Sequence, residues 1–317
     1  MHAFDDHQMF SLPELPAVRT SFIGAGSSRL YVRDLGRGLP IVVVHGGPDF
    51  DHEYLLPDLD RLAARYHLVY YDQRGRGRSF SGEPPERVTI ASETEDLDRV
   101  REWTTHAKVA VLGHSWGGLL ALEYAMRHPD RVSHLILLNP APVSHQDVSI
   151  FRRSLTAART PQQTARIDAL RANPAYMAGD IAADAEYHRI HFSSAVRAPA
   201  HLDQVIHRLR LGFTPEGLVA ARRIEADLYE QTWSREGYDL LPALRTLRIP
   251  TLVIHGDRDF IPVEVPLRIA GAIPGARLLD LRDCGHFAYL EQPELVEAAI
   301  SNLLDGSGAR PHRAPVA

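Results

Sequence analysis

Cysteine is nearly absent from this chain. Cys284 is its single thiol, which excludes an intrachain disulfide framework and a Cys-rich zinc site. Excess positive charge is missing as well: the formal net charge is -5 and the arginines are interleaved with Asp and Glu, so no basic field invites nucleic acid. No apolar run reaches the roughly 18 residues that a spanning helix needs. The opening segment, Met1 to Phe10, lacks both the basic start and the apolar stretch of a secretory signal. These absences predict a cytoplasmic protein whose partner is a small molecule or a short peptide, with neither nucleic acid nor membrane. The composition, 44% apolar and 24% charged over 317 residues, suffices for one large α/β domain with an insertion or for two small domains.

Short apolar runs are bounded by turn residues along most of the chain. Arg19–Ile23 and Leu30–Asp34 read as strands around the turn Gly24 to Ser28, and Ile41–Val44 reads as a strand buried on both faces. Leu68–Tyr71, Lys108–Leu112 and Val132–Leu138 follow as strands. Helical spacing separates them at Leu55 to Ala64, Glu95–Trp103 and Leu119–Met126. From Ala141 to Arg248 the pattern is helical without a strand. Alternation resumes with Thr251–Ile254, a helix after Pro262, the strand Arg277–Leu281 and a helix over Glu294–Leu304. Strand–helix alternation implies a mostly parallel sheet covered on both faces. The predicted layout is an α/β core over 1–140 and 249–305, a helical cap over 141–248, and a disordered tail over 306–317.

The chemistry concentrates in four places. Gly113-His114-Ser115-Trp116-Gly117 has the G-x-S-x-G pattern between a strand and a helix, the context of a nucleophile elbow. A serine on so sharp a turn needs glycines beside it, because side chains there would strike neighbouring backbone. His255-Gly256-Asp257-Arg258-Asp259 follows a later strand, and Cys284-Gly285-His286 follows the next, giving the order Ser, acid, His of α/β hydrolases. Asp257 is expected to hold its turn and Asp259 to reach across to His286, so Asp259 is favoured as the acid. His45-Gly46-Gly47-Pro48 completes the set. A tetrahedral intermediate needs two converging N–H donors, which Gly47 and Trp116 can provide. Ser115, Asp259 and His286 are thus the expected catalytic residues and Gly47 and Trp116 the oxyanion hole.

His45-Gly46-Gly47-Pro48, His52-Glu53-Tyr54-Leu55, Asp72-Gln73-Arg74-Gly75-Arg76-Gly77-Arg78-Ser79 and Gly113 to Gly118 together resemble the proline iminopeptidase family within the α/β-hydrolase superfamily. The resemblance spans the two sides of the insertion. It implies an α/β-hydrolase fold: a mostly parallel eight-stranded sheet with helices on both faces, a helical cap, and a metal-free acyl-enzyme mechanism. Two positions depart from the family. Asp49 stands where a glycine is usual, and Asn139 lies near the place where many members carry an Arg-Gly that helps recognise a substrate's amine.

Substrate contacts are expected from Asp49, His52 and Asn139 beside the core loops and from Tyr187, Glu186, Glu230 and Trp233 in the cap, with Glu225 a further candidate for a free amine. His188 and His191 are three apart on a helix, but no third ligand or acidic motif completes a site, so neither metal nor cofactor is expected. Arg74, Arg76 and Arg78 are read as braces of their loop. Three functions fit: cleavage of an ester or lactone, a macrolide included; an aminopeptidase releasing N-terminal proline; or a non-catalytic ligand-binding protein of this fold. The first is favoured because of Asn139.

Overall fold

The computed structural model describes residues 17–26, 28–83 and 85–306. Its eight strands are β1 (Arg19–Ala25), β2 (Ser28–Leu35), β3 (Pro40–Val44), β4 (His67–Tyr71), β5 (Val109–His114), β6 (Val132–Leu138), β7 (Thr251–Gly256) and β8 (Arg277–Leu281). They form one sheet in the order β1-β2-β4-β3-β5-β6-β7-β8. The β1–β2 and β2–β4 pairs are antiparallel, and every other neighbouring pair is parallel. The eight-stranded, mostly parallel sheet expected from the resemblance is therefore present. Strands β3, β5 and β7 are buried at every residue, as continuous apolar runs covered on both faces must be.

Helices α1 (Ile90–Trp103) and α2 (Trp116–Arg127) cover the sheet before β6, and α10 (Glu264–Ala272), α11 (Ala288–Glu291) and α12 (Pro293–Leu304) follow β7 and β8. Between β6 and β7 stand α3 (His145–Ala157), α4 (Pro161–Arg171), α5 (Pro174–Met177), α6 (Ile181–His191), α7 (Pro199–Arg208), α8 (Pro215–Gln231) and α9 (Leu241–Leu244). Two expected boundaries are corrected. Helix α1 begins five residues before Glu95, because Thr89 accepts from the Ser92 N–H while the Ser92 hydroxyl accepts from the Thr89 N–H. The helix expected over Leu55 to Ala64 is instead two 3₁₀ segments, Glu53–Leu55 and Asp58–Ala64, interrupted by Pro57, which has no N–H to donate. From residue 307 onward the expected tail lies outside the described residues.

The loop after β4 is held by buried charge rather than by apolar packing. Arg76 is fully buried and donates to both oxygens of Glu93 on α1 at 3.0 and 2.6 Å, to the Gln73 side-chain carbonyl at 2.6 Å and to the Arg74 carbonyl at 2.6 Å. Gln73 in turn donates through Nε2 to the His45 carbonyl at 2.8 Å and through its backbone N–H to His45 Nε2 at 3.0 Å. Helix α1 is thereby wired to the loop after β3. Arg74 pairs with Asp96 and Arg78 with Glu53, so all three arginines brace the loop. Removing one partner of a buried pair strands the other charge. Arg76→Ala should accordingly lower stability by about 3–5 kcal/mol. Arg61→Ala, which breaks only surface pairs with Glu294 and Glu297, should cost about 1 kcal/mol or less. Urea unfolding of the two variants checks the contrast.

Candidate active site

Strand β5 ends at His114 and α2 begins at Trp116, leaving Ser115 alone on the corner with φ 54° and ψ -119°. That left-handed conformation is strained for a residue with a side chain and persists only where its surroundings fix it. The fixing contacts are backbone on backbone. A Cβ on Gly113 would stand 2.2 Å from the Gly117 carbonyl oxygen, and one on Gly117 would stand 2.1 Å from the Val44 carbonyl oxygen. Only glycine fits at these two positions. The same closeness brings the loop after β3 against the serine: a Cβ on Gly46 would lie 3.1 Å from Ser115 Cβ. Gly47, Ser115 and His286 line one cavity of about 570 Å³. The Trp116 N–H, at the first helical position, has no acceptor within α2.

His286 follows β8 and faces the acid after β7. Its Nδ1 lies 3.0 and 2.9 Å from the two oxygens of Asp259. The Asp259 carboxylate is fully buried and also accepts from the Ile261 N–H at 2.9 Å and from Asn139 Nδ2 at 2.8 Å. Burial pushes this carboxyl up, but the charges of His286 and His255 and the bonds from His286 and Ile261 outweigh it and hold the group below the usual carboxylate range. An ionised Asp259 accepts the Nδ1 proton of His286, which leaves the Nε2 lone pair free to take a proton. Phe260 packs its edge against the imidazole at 4.5 Å between centroids.

A buried relay ties the three loops together. His114 Nε2 lies 3.0 Å from the His286 carbonyl oxygen, which can only accept, so Nε2 carries the proton. His114 Nδ1 then accepts from the Tyr54 hydroxyl at 2.7 Å, and the Tyr54 oxygen accepts from the Gly46 N–H at 2.8 Å. Burial, and then the charge of His286, push His114 down to about 3, so the ring stays neutral and this polarity is fixed. Tyr54→Phe would leave the Gly46 N–H and His114 Nδ1 without partners, a loss of about 1–3 kcal/mol for each buried group. The variant should melt at lower temperature and lose kcat more than KM, readable by calorimetry and steady-state kinetics.

The geometry agrees with the comparisons. A family model of the alpha/beta hydrolase fold matches residues 40–293. The chain belongs to the α/β-hydrolase fold family. Proline iminopeptidase of Saccharolobus solfataricus is similar at 26% identity over 296 residues, covering 87% of this chain and 88% of that protein. The putative carbamate hydrolase RutD of Caulobacter sp. is 27% identical over 280 residues, covering 84% and 96%. Among solved structures, an alpha/beta fold family hydrolase from Bacillus anthracis superposes with a TM-score of 0.72 at 18% identity, covering 90% of this chain and 99% of that one. The chain is thus a proline iminopeptidase-like α/β hydrolase, and hydrolysis is its class of reaction.

Not every residue expected to touch substrate reaches the cavity of this α/β hydrolase. Asp49, Tyr187 and Trp233 line it. Four do not. His52 is fully buried beneath the loop, its Nδ1 2.6 Å from Asp72, because the β4 loop needs a cation or donor against that carboxylate. Asn139 is also fully buried and orients Asp259 rather than a ligand. Glu186 pairs with Arg166 and Glu230 with Arg87 on solvent-facing surfaces, where long charged side chains stay hydrated. Glu225, one helical turn from Tyr229, does line the cavity and accepts the Tyr229 hydroxyl at 2.8 Å. Tyr54 and His114 carry a role that the sequence reading missed; for His114 the signal was a polar residue at the x position of G-x-S-x-G after the apolar run Val109–Leu112, whereas Tyr54, beside Asp51, His52 and Glu53, carried none.

Asp257 lies apart from His286: it accepts from the Cys284 N–H at 3.4 Å and faces Arg258 and Arg282. Asp259→Asn should therefore lose activity by about 10² or more relative to Asp257→Asn, because only the former disturbs the His286 tautomer. Comparison of kcat/KM for the two variants on one ester checks this, and a dead Asp257→Asn with an active Asp259→Asn reverses the assignment.

Proposed function

We propose that this hydrolase cleaves a carboxylic ester or lactone of a small or medium-sized molecule through an acyl-enzyme on Ser115. His286 Nε2 removes the Ser115 hydroxyl proton as Oγ attacks the carbonyl carbon. The oxyanion is held by the N–H groups of Gly47 and Trp116. Collapse of the intermediate breaks the bond to the leaving oxygen, which takes the proton from His286. Water then attacks the acyl-enzyme, gives its proton to His286, and releases the acid with Ser115 restored. In a lactone the leaving oxygen stays tethered to the acid. The helices α3 to α9 act as the cap that shapes the pocket.

The observation that carries the ester reading is the charge around the cavity. An aminopeptidase must neutralise a buried ammonium with carboxylates near the scissile bond. Glu186 and Glu230 lie elsewhere, and the Asp49 carboxylate is held by Arg210 at 2.6 Å. Glu225 remains, and burial together with the charge of Asp49 pushes it up to about 8, which favours its neutral form. Arg152, Arg159, Arg171 and Arg222 stand in the same wall. What supports the second reading, a prolyl aminopeptidase, is Glu225 beside Asp49 and the names of the relatives.

Ser115→Ala should lower kcat by roughly 10⁴ to 10⁶ with the fold intact by circular dichroism. Retained activity in a verified preparation overturns the mechanism. On substrate class, neutral 4-nitrophenyl esters should be turned over with higher kcat/KM than proline 4-nitroanilide. Glu225→Gln, which mimics the protonated acid, should keep ester turnover within about threefold at pH 7. Efficient cleavage of the free-amine anilide, abolished by Glu225→Gln and by N-acylation of the substrate, establishes the aminopeptidase instead.

A further inference from the structure

The charges that line the cavity do not all have partners. Arg210 donates to Asp184 at 2.7 Å and to Asp49 at 2.6 Å, and Arg222 donates to Asp184 at 2.5 Å, so behind this part of the wall each guanidinium meets a carboxylate. Arg159, just beyond the end of α3, and Arg171, the last residue of α4, are different. Arg159 Nη2 lies 2.9 Å from His191 Nδ1, and its Nε is buried with no partner. Burial, with the charges of His188 and Arg159 beside it, pushes His191 well below its ordinary value, so the ring is neutral and accepts from the guanidinium. Arg171 donates to the Tyr187 hydroxyl at 3.0 Å and lies over that ring at 5.4 Å. Among the described residues, the hydrogen bonds of both guanidiniums go to neutral groups. Burial, and then the charge of Arg171, lower Arg159, whereas Tyr187 holds Arg171 above its ordinary value against burial.

Arg159, partly buried, and Arg171, more exposed, line the cavity with no ion pair in contact among the described residues, Asp168 acting on both only from beyond ion-pair distance, and so form an incomplete site. Guanidinium stays charged under any working condition, and a carboxylate fits its fork with two charge-assisted bonds. Their place relative to the catalytic group follows from the ring contacts. Phe260 packs against His286 at 4.5 Å, His191 against Phe260 at 5.5 Å, and Arg159 against His191. Arg159 thus stands two rings, His191 and Phe260, away from His286, and Arg171 joins the same layer through Tyr187, which stacks on His191 at 5.9 Å between centroids. Phe151, Leu155 and Phe192 supply apolar wall between.

We infer that Arg159 and Arg171 form a carboxylate-binding subsite, and that the ester or lactone cleaved here carries a free carboxylate joined to the scissile carbonyl by an apolar spacer. This substrate class rests on the proposed ester hydrolysis. The subsite itself does not depend on turnover, since it requires only that the cavity bind a carboxylate.

Two measurements test it. The first compares kcat/KM for mono-4-nitrophenyl suberate and for its methyl ester, which differ only in the distal charge. The free acid should be favoured by roughly tenfold or more. Arg159→Gln and Arg171→Gln should each bring the ratio toward one, mainly through KM. Arg189→Gln, which loses an exposed pair with Asp203 away from the cavity, should keep it. A wild-type ratio of one or less, or a ratio unchanged in both cavity variants, overturns the subsite. The second is calorimetric titration of suberate into Ser115→Ala protein. Affinity should fall about tenfold on adding Arg159→Gln. Suberate binding that ignores Arg159 and Arg171 sinks the subsite even where Ser115 is the nucleophile. Binding that depends on them, in a protein that hydrolyses neither ester, upholds the subsite and removes the ester mechanism.

Discussion

The bond between Tyr54 and His114 is the constraint on which the rest of the site depends. Three loops from separate strands must meet at one point: the loop after β3 with its N–H donors, the corner at Ser115, and the loop after β8 that carries His286. Apolar packing cannot set their positions to a fraction of an ångström, because the loops are mostly backbone. The relay from the Gly46 N–H through the Tyr54 hydroxyl and His114 to the His286 carbonyl links all three with directional bonds. Its polarity is fixed because every donor and acceptor is used once and His114 is kept neutral by burial. Inside a low-dielectric core such a chain is strong when complete and expensive when broken.

A second frame surrounds the first. Gln73 holds the backbone of His45, Arg76 holds Gln73, and Glu93 on α1 holds Arg76. The loop after β3 is thus anchored from below by buried charge and from the side by the close approach of Gly117 to Val44. Asn139 and the Ile261 N–H do the same for Asp259. Each group that would touch the reacting atoms is held by at least one buried group that does not. Strain at Ser115 is tolerated because this surrounding structure leaves it no alternative.

The sheet was readable from the sequence because parallel strands buried on both faces need continuous apolar runs, and Ile41–Val44 and Thr251–Ile254 have them. Helix starts were less legible. Thr89 and Ser92 form a capping pair without the usual Glu or Gln, and Pro57 broke a helical pattern that apolar spacing alone supports. In the site, the glycines around Ser115 and the spacing of Asp259 and His286 pointed to one sheet edge. The substrate side was not legible: Glu186 and Glu230 share helices with cavity residues, and only the three-dimensional face separates them from Glu225. Asn139 and His52 were expected at the ligand because they sit near motif positions, whereas burial turns both toward neighbouring carboxylates. Arg159 and Arg171, which make no ion pair among the described residues, carry no sequence signal, since an arginine's partner is a fact of folding.

The central claim is that a strained, glycine-flanked serine receives the acyl group. The most direct measurement is intact-mass analysis of wild-type protein acid-quenched during the first turnovers of a 4-nitrophenyl ester. A transient mass increase equal to one acyl group is expected on the peptide containing Ser115, decaying as acid is released. Release of 4-nitrophenol with no adduct at any quench time, under conditions where deacylation is slowed by low temperature, or an adduct on a residue other than Ser115, would contradict it.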